Sequence, residues 1–365
     1  MIDARFSERV LVWYDHHGRK SLPWQHPATP YRVWVSEIML QQTQVATVVP
    51  YFQRFMARFP DVETLDQANL DEVLRHWSGL GYYARARNLH RTARLICDRP
   101  TGEFPNEFDA VASLPGIGRS TAAGILALSR NESHAILDGN VRRVLARHRG
   151  VEGGPGTSQN TSQLWRIAEQ HMPARRCADY TQAMMDLGAL VCARRNPQCD
   201  ACPVQADCVA YQSGRQHELP AARVRKPLPV RETMMVMVRT GIGDVLLERR
   251  PPVGVWGGLL SFPEVRDERE CSALCERVFG AAPEEIVHWP VVRHTFTHFH
   301  LNITPVAIAI THGPCVVGDS ARWVWYNAAS PHGGVAAPIK QLIERLITTH
   351  EGVIDGPHSA VREAG

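Results

Sequence analysis

Four of the nine cysteines of this 365-residue chain, Cys192, Cys199, Cys202 and Cys208, fall within 17 residues in the spacing C-x6-C-x2-C-x5-C. The N-terminal run Met-Ile-Asp-Ala-Arg-Phe-Ser-Glu has neither a basic stretch nor an apolar one, so it reads as a cytosolic start rather than an export signal. In a reducing compartment such a cluster points to metal ligands before disulfides. Structural zinc usually uses C-x2-C pairs set further apart. Four thiolates in one tight loop suit a 4Fe–4S cubane, which takes one cysteine per iron, and zinc is the alternative. Arg194 and Arg195 lie between the first two cysteines. A loop fixed by a cluster would turn both guanidiniums outward, where they suit phosphate contact. The other five cysteines are scattered and read as small core residues.

The pattern along the chain changes once. Residues 1–212 read as mainly helical, with apolar spacings of three and four at 31–48, 70–77, 108–113, 119–129, 140–148, 161–170 and 180–191. Residues 213–231, with Ser213, Gly214, Pro220, Pro227 and Pro229 among charges, read as a linker. Residues 232–350 read as α+β: strand-like stretches at 232–239, 244–249, 258–265, 291–310 and 322–326, with helices near 267–279 and 338–349. Residues 351–365 lack periodicity and read as a flexible tail. The basic charge is also uneven. Residues 1–226 carry 28 Lys and Arg against 22 Asp and Glu, and residues 227–365 carry 12 against 15. A basic first part is compatible with a nucleic-acid partner and equally with a plain solvated surface. No apolar run approaches the roughly 20 residues of a membrane helix, so no membrane association is expected.

Two features of the first part carry chemistry. Leu114-Pro115-Gly116-Ile117-Gly118 sits between two helical stretches. Gly116 and Gly118 leave backbone N–H groups unshielded beside a helix N-terminus, where anions bind well. The second feature is a pair of carboxylates. Glu37 lies in the apolar run Val33-Trp34-Val35-Ser36-Glu37-Ile38-Met39-Leu40. If buried there, it loses solvation and its pKa rises; exposed on a helix, it does neither. Asp138 precedes the helical run 141–147 and reads as an N-cap, a position expected to keep it ionised. One carboxyl held as acid and one as anion is the division of labour that breaks a glycosidic bond, provided that the two lie close in space.

The hairpin, the following Leu137-Asp138-Gly139-Asn140-Val141 and the cysteine loop together resemble the iron–sulfur branch of the helix-hairpin-helix DNA glycosylases. Leu22-Pro23-Trp24, the run Ser36 to Val45, Gly79-Leu80-Gly81-Tyr82-Tyr83-Ala84-Arg85 and Gln182-Ala183-Met184-Met185-Asp186-Leu187-Gly188-Ala189 resemble the MutY-type adenine glycosylases of that branch. The resemblance implies that Glu37 protonates a flipped adenine, and that Asp138 faces the sugar cation with Asn140 beside it. Gln41 and Tyr82 would wedge into the opened base stack. Gly116, Gly118 and Ser120 would contact DNA, and Lys20, Trp24 and Gln182 would surround the adenine, although core packing explains a Trp or Tyr as well. The four cysteines would hold one 4Fe–4S cluster. The implied substrate is double-stranded DNA with an 8-oxoguanine·A or G·A mispair. The enzyme would act as a monomer in the cytoplasm, at the nucleoid through its DNA.

Glycosylases that also cut the strand resemble this chain but carry a lysine where Ser120 stands, for Schiff-base attack. This chain has no lysine between residues 21 and 225, which implies a monofunctional glycosylase with water as the final nucleophile. A glycosylase/lyase acting on oxidised pyrimidines and a non-catalytic DNA-binding protein are the alternatives. In the second part, Arg250 to Leu259 and Ser261-Phe262-Pro263-Glu264 resemble the Nudix-like C-terminal domain of the same family. Where an active Nudix hydrolase needs a carboxylate-rich helix, the chain reads Ser272-Ala273-Leu274-Cys275-Glu276-Arg277, too few acids for a hydrolytic metal. The resemblance makes Phe296, Thr297 and His298 an 8-oxoguanine-recognition loop.

Overall fold

A computed structural model describes residues 4–153, 158–221, 227–240, 243–311, 322–331, 333–349 and 353–355. In chain order it runs through helices α1 (Ala4–His17), α2 (Pro30–Leu40), α3 (Val45–Arg58), α4 (Val62–Gln67), α5 (Leu70–Trp77), α6 (Ala84–Cys97), α7 (Phe108–Ala112), α8 (Arg119–Arg130), α9 (Gly139–Arg149), α10 (Ser158–His171), α11 (Cys177–Asp186) and α12 (Val209–Gln212). Strands β1 (Val230–Met237), β2 (Arg239–Thr240), β3 (Val245–Arg249), β4 (Leu260–Ser261) and β5 (Glu264–Val265) follow. Then come α13 (Glu268–Phe279), β6 (Glu285–His288), β7 (Val292–Thr295), β8 (His300–Thr311), β9 (Trp323–Tyr326), α14 (Ala337–Thr348) and β10 (Val353–Asp355). The chain forms two compact units: residues 1–67 with 88–225, and residues 68–87 with 226–365. The second unit thus takes in a segment, 68–87, that the sequence pattern joins to the helical part.

The first unit is helical. Its central helix is α8, buried along Ala122, Ala123, Gly124, Ile125, Leu126 and Ala127. Small residues on that face let α2, α7 and α11 pack directly on it. A second core, with Phe6, Val10, Leu145, Ala183 and Leu187 fully or almost fully buried, joins α1, α9 and α11. The apolar stretch expected at 31–48 divides into α2 and α3, because Gln41–Gln44 leave the helix and Gln42 turns to φ 59°. The stretch expected at 180–191 ends in a π-helical turn, Leu187–Val191.

The second unit is a mixed sheet in the order β4-β3-β2-β10-β8-β1-β5, with β6 and β7 added on β8 and β9 on β3. Strands β1 and β8 pair in parallel, from Val230 opposite His300 to Met237 opposite Ala307. The strand-like stretch 291–310 folds back on itself as β7 and β8, with Thr295 opposite His300 and the turn at 296–299. Helix α13, capped by the Asp267 side chain on the Glu270 N–H, packs Cys271, Leu274, Cys275, Val278 and Phe279 into a core with Val236, Leu246 and Ile308. Of the expected tail, Val353–Asp355 form β10, paired with β2 and β8; its other residues lie outside those described. So do residues 222–226 of the expected linker.

Candidate active site

Glu37 sits in the last turn of α2, a helix started by the Thr29 hydroxyl accepting from the Arg32 N–H with Pro30 at its first position. Its neighbours Val33, Trp34, Val35, Ser36, Ile38 and Met39 are buried. The carboxyl lies against α8 where that helix has no side chain: a Cβ added at Gly124 would stand 3.0 Å from Glu37 Oε2. Burial first, and then the charge of Asp138, push the Glu37 carboxyl up to about 8. The two carboxyls are therefore within electrostatic reach of each other, across 101 positions of sequence.

Asp138 is the N-cap of α9, accepting from the Val141 N–H at 2.7 Å and, weakly, from Asn140 Nδ2 at 3.4 Å. These hydrogen bonds hold its pKa down as expected of a cap. Burial outweighs them, so the net direction is up from the ordinary aspartate value. The sequence reading, which weighed only the cap, had the opposite sign. Glu37 and Asp138 titrate as an interacting pair, the anion of one disfavouring the anion of the other.

The surroundings of Asn140 involve residues without an obvious sequence signal. A Cβ on Gly188 would fall 2.6 Å from Asn140 Cβ, so only glycine lets the π-helical turn approach this loop. Arg143, one turn into α9, donates to Asn140 Oδ1 at 2.9 Å, Gly188 O at 2.5 Å and Cys192 O at 2.7 Å. Arg147, one turn further and buried, donates to the carbonyls of Cys192, Ala193, Arg194 and Leu219. Its Nη1 also lies 3.3 Å from Cys192 Sγ. The only available cue was the i, i+4 spacing of these arginines on the helix that Asp138 caps.

Cys192, Cys199, Cys202 and Cys208 are free thiols and line one cavity with Val144, Arg147, Val204 and Tyr211. Burial pushes the Cys202 thiol up to about 12, and the other three cysteines push in the same direction. The four side chains are part-buried, and as residue types lining one cavity they suit a thiolate-held metal group. Among the described residues no group of three or more His, Cys, Asp or Glu side chains is placed to hold a metal ion. Arg194 and Arg195 are exposed.

Gly116 stands at φ +79°, exposed, where a Cβ would come within 3.0 Å of Asn88 Cβ. Gly118 is the N-cap of α8. Ser120 is half-buried, and its hydroxyl accepts from the Leu137 N–H at 2.9 Å, tying α8 to the segment that leads to Asp138. Trp24 is buried edge-on to Phe52, 5.4 Å between rings. Lys20 is exposed and donates to Asp15 O at 2.6 Å. Gln182 is buried and donates to Asp186 Oδ1 at 2.8 Å. Asp186, fully buried, also accepts from Arg19 Nε, Nη2 and backbone N–H. Gln41 ends α2 and is half-buried.

In the second unit Tyr82 is 44% exposed at φ 49°. Phe296, Thr297 and His298 form the turn between β7 and β8, closed by the Phe296 N–H donating to Phe299 O. Phe296 stacks on Phe299 with 4.6 Å between centroids and meets Trp256 at 5.5 Å and His294 at 4.6 Å. Trp256 thereby brings the 250–259 motif to the same loop. Thr297 and His298 are exposed.

The description "HhH-GPD superfamily base excision DNA repair protein" fits residues 35–170, and "NUDIX domain" fits residues 233–345. The chain is 36% identical to the adenine DNA glycosylase of Buchnera aphidicola subsp. Acyrthosiphon pisum, over 93% of this chain and 97% of that one. It is 33% identical to the Homo sapiens adenine DNA glycosylase, over 87% of this chain and 70% of the other. Among solved structures, a thermostable thymine-DNA glycosylase superposes with a TM-score of 0.52 at 28% identity, covering 57% of this chain and 95% of that one.

Proposed function

Because this chain belongs to the adenine DNA glycosylase family, DNA N-glycosylases of base excision repair, we propose that it hydrolyses the glycosidic bond of adenine mispaired with 8-oxoguanine or guanine. The observation that carries this reading is the coupled pair Glu37 and Asp138. Near neutral pH, Glu37 holds a proton to give to the leaving base, and the Asp138 carboxylate faces the developing sugar cation. A unit charge pair at roughly 4 Å and an effective dielectric of about 20 is worth about 4 kcal/mol. Asn140, held by Arg143, keeps the Asp138 loop in place. Extruding the adenine costs a few kcal/mol, less at a mispair than at a matched pair. Water completes the reaction, since Ser120 offers no amine. Gly116, Gly118, Arg194 and Arg195 take phosphates; Gln41 and Tyr82 fill the opened stack; Lys20, Trp24 and Gln182 line the adenine pocket.

Cys192, Cys199, Cys202 and Cys208 would hold a 4Fe–4S cluster, one thiolate per iron. When bound, that group supplies the positive charge these thiolates need and cross-links the loop bearing Arg194 and Arg195. Phe296, Thr297 and His298 read the 8-oxoguanine. The working form is a monomer acting on cytoplasmic, nucleoid DNA. The test is single-turnover adenine release by full-length protein. Glu37→Gln should bind an 8-oxoguanine·A duplex yet release no adenine, and release at the wild-type rate would remove Glu37 as the acid.

A further inference from the structure

Residues 68–87 pack with the sheet, and they carry Tyr82. We propose that Arg85 and the 333–335 segment of the sheet domain are positioning groups for Tyr82, so that the domain holding the 296–298 loop also sets the ring that enters the base stack. This rests on the reading of Tyr82 as the stacking wedge. A tyrosine at φ 49° is in a region that bulky residues rarely adopt, so its surroundings must hold it there.

Two layers of contacts do so. The inner layer is Arg85, 8% exposed. Its Nη2 donates to Leu80 O and Gly81 O, both at 3.2 Å. Its guanidinium lies 5.4 Å from the Trp77 ring and 5.4 Å from the Tyr82 ring. Burial lowers the Arg85 pKa to about 10, and the neighbouring Tyr82 acts in the opposite direction. Trp77 Nε1 donates to Gly81 O at 3.2 Å, closing the turn.

The outer layer fastens this turn to the sheet domain. The hydroxyls of Ser78 and Tyr83 both donate to the Val335 carbonyl, at 2.8 and 3.4 Å. Those two residues flank the turn that presents Tyr82. Asp71 pairs with Arg249 at 2.5 Å, and Arg87 Nη1 donates to Gly257 O at 2.6 Å. The fit is close: a Cβ on Gly334 would stand 2.9 Å from the Leu74 carbonyl oxygen.

A double-mutant cycle in the full-length protein separates positioning from general packing. Ser78→Ala, Arg85→Lys and Gly334→Ala are each made in wild-type and Tyr82→Ala backgrounds. Binding is measured to a duplex with 8-oxoguanine opposite 2′-fluoro-2′-deoxyadenosine, with thermal midpoints in parallel. Tyr82→Ala alone should weaken binding about tenfold, within the range for losing one stacked base. Each of the other substitutions should weaken binding several-fold when Tyr82 is present and not at all when it is absent. Equal losses in both backgrounds, or none in either, overturn the proposal. If Arg85→Lys fails to fold, Ser78→Ala still decides. If Tyr82→Ala binds like wild type, the wedge reading itself fails and the proposal falls with it.

Discussion

Replacing the acid should make the protein more stable as well as inactive. Burial raises the Glu37 carboxyl to about 8 from an ordinary value of 4.5. A group whose pKa is raised by folding contributes stability that is complete below the unfolded value and is lost as pH rises through the folded one. Over the interval from pH 4.5 to pH 7, at 1.36 kcal/mol per pH unit, the loss amounts to about 3 kcal/mol. Glu37→Gln keeps the shape and cannot ionise, so it escapes that loss. At roughly 2–4 °C per kcal/mol for a unit of this size, the melting midpoint at pH 7 should rise by about 6–12 °C. At pH 5 the gain should shrink to below about 1 kcal/mol. Thermal melts of wild type and Glu37→Gln at pH 5, 6 and 7, followed by near-ultraviolet circular dichroism, measure it. Equal midpoints at pH 7, or a difference that does not grow with pH, would refute the argument that Glu37 is a desolvated acid.

Gly124→Ala favours α8 by up to about 1 kcal/mol of helix propensity yet crowds Glu37 Oε2, so adenine release should slow several-fold without a lower melting midpoint; an unchanged rate would mean that the carboxyl is not held there. Purified protein should carry about four irons per chain and no zinc by elemental analysis, and a single zinc would contradict the cluster reading. Phe296→Ala removes a ring shared by Phe299, Trp256 and His294 and should lower the ratio of release rates opposite 8-oxoguanine and opposite guanine about tenfold; a constant ratio would move recognition elsewhere.

Long periodic segments were legible in the sequence because their apolar spacing is local. The expected helix at 70–77 is α5 to the residue, and those near 267–279 and 338–349 are α13 and α14 within a residue. Helix α6 was missed: its first nine residues carry four of its arginines and histidines and little apolar rhythm. The single strand-like stretch 291–310 hid a hairpin, since Phe296 and Phe299 are as apolar as the strands they separate. The association of 68–87 with the sheet domain rests on backbone carbonyls at Val335 and Gly257 and on the distant ion pair Asp71–Arg249, which no local sequence pattern announces. The same holds at the site. Glu37 and Asp138 were readable as residue types, but the glycines that admit them, Gly124 and Gly188, look like weak points of helices until their neighbours are known. The direction of the Asp138 shift likewise turned on burial, a tertiary property.

The central claim is hydrolysis of a glycosidic bond by Glu37 and Asp138 without strand cleavage. It is tested most directly on an end-labelled duplex with one 8-oxoguanine·A pair, incubated with full-length protein and analysed with and without hot alkali. The account predicts a break at the adenine position only after alkali, with wild type and not with Glu37→Gln. Breaks of equal yield without alkali, or alkali-dependent breaks that persist in Glu37→Gln, would contradict it.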